Sequence, residues 1–250
     1  MNPRVGAARW LLRAGNFLRS LAVVVMRPAD LVEFSRQNYA TPESVEAWSR
    51  DEVVNAGLSP EELALLEQVP TTRGRLLLLG VGGGREAIPL ARRGFEVTAV
   101  DFVGAMVARA VERAARAGVQ LGGLVQDIAA LDVPAESYDV VWLSAAMYSS
   151  VPTRAGRQAM LRRVHRALKP GGHFVCQFHY DPGWRSSRGG ERLRRIFGWL
   201  VLGNTRYEPG DTLWGGREFL HVFVSAANIR SEFETAGWEV IGRASCRERV

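Results

Sequence analysis

The sequence predicts an α/β protein built on a doubly wound, mostly parallel sheet, and three observations carry that prediction. Between residues 75 and 180, short apolar runs alternate with stretches of helical periodicity, the rhythm of right-handed βαβ units. The first apolar run breaks into Gly80, Gly82, Gly83 and Gly84 before a helical pattern resumes, as the ligand-binding first turn of such a sheet does. A length of 250 residues, 47% apolar and 23% charged, suits one domain of this class with elaborations.

Residues 1–72 read as a helical extension or lid. Trp10, Ala14, Phe17, Leu18, Leu21 and Val25 recur at helical spacing, with Arg9, Arg13 and Ser20 largely off that face. Such a helix either packs on the domain or over its active site, or lies on an anionic membrane surface. Arginines ahead of "LAVVVM" (21–26) imitate a secretion signal, but the apolar core is short and no small-residue cleavage site follows. Thr41-Pro42 opens a helix through "PESVEAWSRDEVVNA" that Gly57 stops. Ser59-Pro60 opens "EELALLEQ", with Glu62 placed to close a capping box.

The core, 73–180, then unfolds in order. "RLLLLG" (75–80) is a buried strand, "EAIPLARRG" a helix closed by Gly94, and "FEVTAVD" (95–101) a strand. "GAMVARAVERAARAG" (104–118) is a helix, while "LGGLVQD" (121–127) and "YDVVWLS" (138–144) are strands. "RAGRQAMLRRVHRAL" (154–168) is a helix, "KPGG" a turn and "HFVCQFHY" (173–180) a strand. Residues 181–224, with Trp184, Trp199, Tyr207 and Trp214, break the rhythm and read as a substrate-cap insertion near the carboxyl ends of the strands. Residues 225–242 finish the core with the helix "SAANIRSEFETAG" and a strand beginning at "WEVI".

The net charge of +6 looks like a nucleic-acid signal until it is located. Residues 1–27 hold five arginines and no acid, for +5, and residues 243–250 contribute +2, leaving −1 for everything between. A near-neutral body does not argue for phosphate-backbone binding. Cys176 and Cys246 are too few for a disulfide framework or a cysteine-built zinc site. His165, His173, His179 and His221 lack the close spacing of a metal motif, so no metal is expected. No apolar run approaches the ~20 residues a membrane span needs, and a cytoplasmic location is the expectation, with a membrane-peripheral one as the alternative.

The glycine spacing separates two chemistries. Gly80, Gly82 and Gly84 give G-x-G-x-G, and Arg85 stands where a dinucleotide fingerprint places its third glycine. A bulky cation fits poorly where a pyrophosphate must lie against a helix N-terminus, and no G-K-[ST] follows for a phosphate loop. Asp101 ends the second strand, where an acid can take both ribose hydroxyls. Asp127 follows the third, where an acid can accept from an exocyclic amine, with Ile128 beside it to cover a purine face. Either aspartate alone could be a helix cap or a solvated loop residue; together with the loop they describe a nucleoside site without phosphates.

These residues, with "YDVVWLS" and "LRRVHRALKPGGHFVCQF" (161–178), resemble the class I S-adenosylmethionine-dependent methyltransferases over residues 74 to 180, and more weakly to 240. The resemblance implies a Rossmann-like methyltransferase fold and S-adenosylmethionine as cofactor. Gly80, Val81, Gly82 and Gly84 would approach its methionine part and Asp101 its ribose. Phe102 and Ile128 would flank the adenine, Asp127 would bind its amino group, and Ser144 would lie near the methyl donor. Tyr39 would close over the cofactor, as N-terminal segments of this family do. The family usually has an acid two residues before the first glycine; here it is Leu78. Glu86 is the candidate substitute, although the helix dipole alone also favours an acid there.

Methyl transfer from a sulfonium is an in-line displacement of an already activated group, so alignment and exclusion of water matter most and no triad is expected. A base helps only where the acceptor requires one. Tyr148, His179 and Tyr180, at the carboxyl ends of the fourth and fifth strands, are the candidates for base or acceptor-orienting residue, and a structural hydrogen bond is the alternative for His179. The Asn/Asp-Pro-Pro-aromatic signature of many amino-methylating members is absent after the fourth strand. The expected activity is therefore methyl transfer to a small-molecule acceptor. A nicotinamide-dependent oxidoreductase and a non-catalytic cofactor-binding or membrane-associated protein of the same fold are the rivals.

The final stretch, "IGRASCRERV" (241–250), departs from the rest. The codons ATC GGA AGA GCG TCG TGT AGG GAA AGA GTG would encode it, and that string matches a common short-read library adapter. Lys169 is the single lysine among many arginines, a usage expected of GC-rich coding. Residues 243–250 are therefore expected to be a non-native tail, with the last strand of the sheet missing.

Overall fold

A computed structural model describes residues 3–184 and 188–240. The elements begin with α1 (Pro3–Val25), α2 (Pro28–Tyr39), α3 (Pro42–Trp48), α4 (Asp51–Asn55) and α5 (Pro60–Glu67). Then follow β1 (Gly74–Leu79), α6 (Ala87–Arg92), β2 (Phe95–Asp101), α7 (Gly104–Arg116), β3 (Leu121–Val125), β4 (Tyr138–Leu143), α8 (Arg154–Ala167) and β5 (Leu168–Cys176). The last are α9 (Arg188–Leu200), β6 (Asp211–Trp214), β7 (Glu218–His221) and α10 (Ala226–Thr235). The chain divides into two compact units.

One unit holds Tyr39–Tyr148, Arg154–Phe178 and the residues from Ala227. Among its described residues the sheet has five strands in the order β3-β2-β1-β4-β5, and every pair is parallel. Leu78 of β1 faces Ala99 on one neighbour and Trp142 on the other. Helices pack on this sheet, so β1 and β4 carry side chains buried on both faces and read as near-continuous apolar runs. Leu76, Leu77, Leu78, Leu79, Val140, Val141, Trp142 and Leu143 are all fully buried, each contributing on the order of 1.5–3 kcal/mol from burial. The chain winds outward from β1 to β3 and returns to β4, so the strand order reverses beside β1. That reversal is where an open α/β sheet binds its ligand.

The Thr41 and Ser59 caps form as the sequence requires. Thr41 accepts from the Ser44 N–H at 3.2 Å, and Ser59 and Glu62 make the reciprocal capping box. Three elements differ from expectation. The helix expected over 42–56 breaks at Ser49 and Arg50 into α3 and α4. The break brings the Trp48 carbonyl onto Gly83 and lets the Arg113 guanidinium donate to the Ser49 carbonyl. The "KPGG" turn is drawn into the start of β5, where Leu168 pairs with Tyr138 before a register shift, and β5 ends at Cys176 rather than 180. "WEVI" does not begin a strand through Val240. Instead Trp238 donates its indole N–H to the Leu161 carbonyl at 3.3 Å and meets His165 edge-on. The expected tail, 243–250 with Cys246, lies outside the described residues.

The other unit comprises residues to Asn38, Ser149–Thr153 and His179–Ala226. The stretch read only as an insertion contains α9 and an antiparallel β6–β7 hairpin. Val23, Val24, Leu31, Tyr207, Leu213 and Phe219 form its core, and the Ser35 hydroxyl accepts the Phe219 N–H at 3.0 Å. Val23 and Val24 anchor α1. Trp10, Phe17, Leu18 and Val25, the apolar face read from the sequence, are exposed.

Candidate active site

The glycine loop leaves β1 at the sheet's reversal point, pinned to the end of β2: the N–H groups of Gly80 and Val81 donate to the Val100 carbonyl at 2.8 and 3.0 Å. The four glycines serve different neighbours. A Cβ on Gly80 would stand 1.9 Å from Met147 Sδ, one on Gly83 2.2 Å from the Trp48 carbonyl oxygen, and one on Gly84 3.4 Å from Ala110 Cα. Gly82, at φ +50°, has nothing within 4 Å of that point. Protein therefore closes over Gly80, Gly83 and Gly84, and the open side of the loop is at Gly82. Val81 itself is buried in the core.

Asp101 holds that open position. Its carboxylate is 7% exposed, accepts the Gly82 N–H at 3.0 Å through one oxygen and the Val103 N–H at 3.0 Å through the other. Burial raises its pKa, and the backbone hydrogen bonds from Val103 and Gly82 oppose the rise. Beside it, Phe102 packs with Tyr39 on Val45, Val103 and Met106, and Tyr39 lies 6.2 Å from the Trp48 ring. The structure thus sets Tyr39, at the end of α2, and Phe102, just past β2, on one apolar cluster. Asp127 caps the short 3₁₀ turn Ile128–Ala130 by accepting the Ala129 N–H at 2.8 Å, and Ile128 is buried.

Glu86 and Ser144 meet on the other side of β1. Ser144, just past β4, donates its hydroxyl to Glu86, whose carboxyl is buried and does not cap α6. Arg85 donates to Glu86 at 2.6 Å, to both oxygens of Glu62 at 2.7 Å and to the Gly57 carbonyl at 2.7 Å. Burial pushes the Glu86 carboxyl up to about 7, against the pull of Arg85 and the Ser144 hydrogen bond. Burial opposes ionisation of Glu62 too, but the Arg85 and Ser59 hydrogen bonds carry its pKa below the ordinary value. Arg85, read from the sequence only as an obstacle to pyrophosphate, fastens the α5 segment to the loop. Leu78 is fully buried between Ala99 and Trp142, an apolar setting with no carboxylate.

The candidate acceptor residues differ in setting. Tyr148 has no exposed surface. Its hydroxyl donates to Glu232 at 2.7 Å, and the same carboxylate takes two hydrogen bonds from fully buried Arg157, at 2.9 and 2.8 Å. Burial, then the Glu232 charge, push the phenol far above its ordinary pKa. Here Tyr148 is a packing and hydrogen-bonding group, poorly suited to act as a base. Nothing in its sequence neighbourhood announced Glu232, 84 residues away. In the other unit, the His179 N–H donates to the Ser149 hydroxyl at 2.8 Å and its ring stacks on Trp214 at 5.5 Å. Tyr180 is 46% exposed and bridges to Phe223. A buried His221–Asp211 pair, 2.8 Å apart, also lies there. Among the described residues, no group of His, Cys, Asp and Glu is arranged to hold a metal ion.

Comparison with known proteins meets this geometry. A methyltransferase domain family matches residues 76–172, the segment from β1 into β5. A ubiquinone biosynthesis O-methyltransferase of Paramagnetospirillum magneticum is 41% identical over 100 residues, 40% of this chain and 38% of that protein. One from Methylobacterium nodulans is 29% identical over 166 residues, 66% of this chain and 60% of that protein. The chain thus spans between about two fifths and three fifths of these curated relatives. A solved S-adenosylmethionine-dependent methyltransferase of Methanosarcina mazei shares the fold, with a TM-score of 0.54 at 22% identity, covering 72% of this chain and 84% of that one. The glycine loop, the buried Asp101 on its open position and the family match over the same strands agree: residues 76–172 match a methyltransferase domain, on the fold that S-adenosylmethionine-dependent methyltransferases share.

Proposed function

We propose that the chain transfers a methyl group from S-adenosylmethionine to a hydroxyl oxygen of a small aromatic acceptor of the kind met in quinone biosynthesis. The observation that carries the cofactor half is the Gly82–Asp101 pair: one backbone position of the loop is left open, and a buried carboxylate stands directly on its amide. A ligand with hydroxyls to share and a portion needing close backbone approach fits that cradle. The acceptor half rests on the O-methyltransferase relatives.

When bound, S-adenosylmethionine supplies a methyl group already activated on a sulfonium sulfur. Asp101 would hold the ribose, with Phe102 and Ile128 against the base and Asp127 at its amino group. The loop would take the methionine portion at its open position, Gly82, with Gly80, Val81 and Gly84 packed against protein to hold its shape, and Tyr39 would cover the ligand from the Phe102 side. Glu86, joined to Ser144, stands in for the acid that Leu78 replaces, and its ionised form would attract the ligand's ammonium group. His179 and Tyr180 are the residues proposed to orient the acceptor, and His179 the one to receive a phenolic proton.

The test is a transfer assay with labelled S-adenosylmethionine against catechol-type, amine and thiol acceptors, followed by mass spectrometry. The expected product gains one methyl on oxygen, and His179→Ala lowers kcat by about 10²-fold, within the usual range for a general base. Methylation confined to nitrogen or sulfur contradicts the acceptor assignment.

A further inference from the structure

We propose that α1 and α9 together form a surface that docks on an anionic lipid bilayer. This inference is independent of the methyl-transfer reading. Along α9, Leu193, Ile196 and Leu200 recur at three- and four-residue spacing as one stripe, and their exposures are 62%, 57% and 68%. An amphipathic helix in a globular protein normally buries such a stripe; this one faces outward. On α1, Trp10 and Leu18 are 67% and 65% exposed, and Trp199 of α9 is 70% exposed. Large apolar side chains left exposed on two helices that pack together mark an interaction site.

The end of α1 is joined to α9 and to the turn that follows it through glycines, backbone carbonyls and two arginines, while the large side chains named above stay exposed. A Cβ on Gly198 would stand 2.7 Å from Val24 Cγ1, and one on Gly203 2.2 Å from the Val24 carbonyl oxygen. The Asn204 N–H donates to that carbonyl at 2.7 Å, Arg194 donates to the Ser20 hydroxyl at 3.1 Å, and Arg27 to the Leu202 carbonyl at 3.2 Å.

Charge selects the occupant. Residues 1–27 carry +5, and α9 carries four arginines against Glu191, for +3. A second copy of the chain would bring like charge against like. An anionic bilayer offers both a negative surface and an apolar interior within reach of Trp and Leu side chains, the combination that interfacial helices use. Among the described residues no helix is long and apolar enough to cross a membrane, so the pair lies along the surface.

The experiment is co-sedimentation of the full chain with phosphatidylcholine vesicles, with or without phosphatidylglycerol, at low and high salt. Partitioning is expected to be at least about tenfold stronger on the anionic vesicles and to fall as salt screens the charges. Leu18→Ser and Trp199→Ser, each verified by circular dichroism to be folded, should weaken it about threefold or more apiece, and the pair about tenfold or more. Should a serine at 199 disturb the fold, Leu193→Ser, on the exposed stripe, gives the same reading. No preference for anionic vesicles overturns the proposal. Binding unchanged by the α9 substitutions overturns it as well, as does self-association in the absence of lipid that the same substitutions abolish.

Discussion

Glu86 is a carboxyl in a place that does not favour its charge. Burial pushes it up to about 7, while Arg85 and the Ser144 hydroxyl pull the other way. A carboxyl whose value in the folded protein lies above its unfolded value holds its proton more tightly when folded. Its contribution therefore favours folding at low pH and is lost as pH rises from about 4.5 to about 7, a change on the order of 3 kcal/mol. Urea unfolding at pH 5 and pH 7.5 should show that slope in the wild type and a flatter one in Glu86→Gln. The role proposed for the ionised form has the opposite pH sense. S-adenosylhomocysteine, which keeps its ammonium group across this range, should bind about tenfold more tightly at pH 8 than at pH 6, and Glu86→Gln should remove that dependence. A wild-type affinity flat across the interval contradicts the substitution of Glu86 for the missing acid. The sequence drew attention to Glu86 only because Leu78 stood where a carboxylate was expected. The Ser144 contact, 58 residues distant, could not be read from spacing.

At the scale of elements, the loop separates stability from binding. Gly83 lies where the α3 terminus comes closest, so Gly83→Ala drives a methyl group into the Trp48 carbonyl and should cost about 1–3 kcal/mol of stability. Gly82 has room, but at φ +50° a side chain costs about 1 kcal/mol. Gly82→Ala should therefore leave a protein that folds yet loses affinity for S-adenosylhomocysteine, a contrast that thermal unfolding and calorimetry resolve together. Between α8 and α10 the buried Arg157–Glu232 pair takes the Tyr148 hydroxyl as a third member. Tyr148→Phe removes one hydrogen bond to a carboxylate that keeps its arginine, so it should cost about 1.5–3 kcal/mol and leave kcat within about twofold. Glu232→Ala strands the arginine charge and should cost about 3–5 kcal/mol. The strands, the capped helices and the loop were legible because each is written in a local pattern. The break at Ser49 was not, because what terminates α3 is an approach to Gly83 and a bond from Arg113, both remote in sequence. That the strand expected at "WEVI" does not begin through Val240 has the same origin: Trp238 is occupied by α8.

For the whole molecule, the sequence located the charge better than it located its use. A near-neutral body and a cationic N-terminal helix were plain from counting, and so was the apolar periodicity of α1. That this face remains outside, joined there by a second exposed stripe on α9, depended on Val23 and Val24 being the residues that anchor α1. Ligand selectivity is likewise a property of the whole cofactor domain. Arg85, bound to Glu62, Glu86 and Gly57, secures a loop whose G-x-G-x-G spacing lacks the third glycine of a dinucleotide site. S-adenosylhomocysteine should raise the melting temperature, as any ligand selective for the folded state does, whereas NAD and NADP should not. Whether Asp101, standing on the open glycine, makes this loop a nucleoside site is tested by calorimetry with S-adenosylhomocysteine on the wild type and on Asp101→Ala. One site is expected in the wild type, and binding at least about tenfold weaker in the variant, from the loss of a hydrogen-bonded charge. Absence of binding by the wild type, or equal affinity in both proteins, would contradict it.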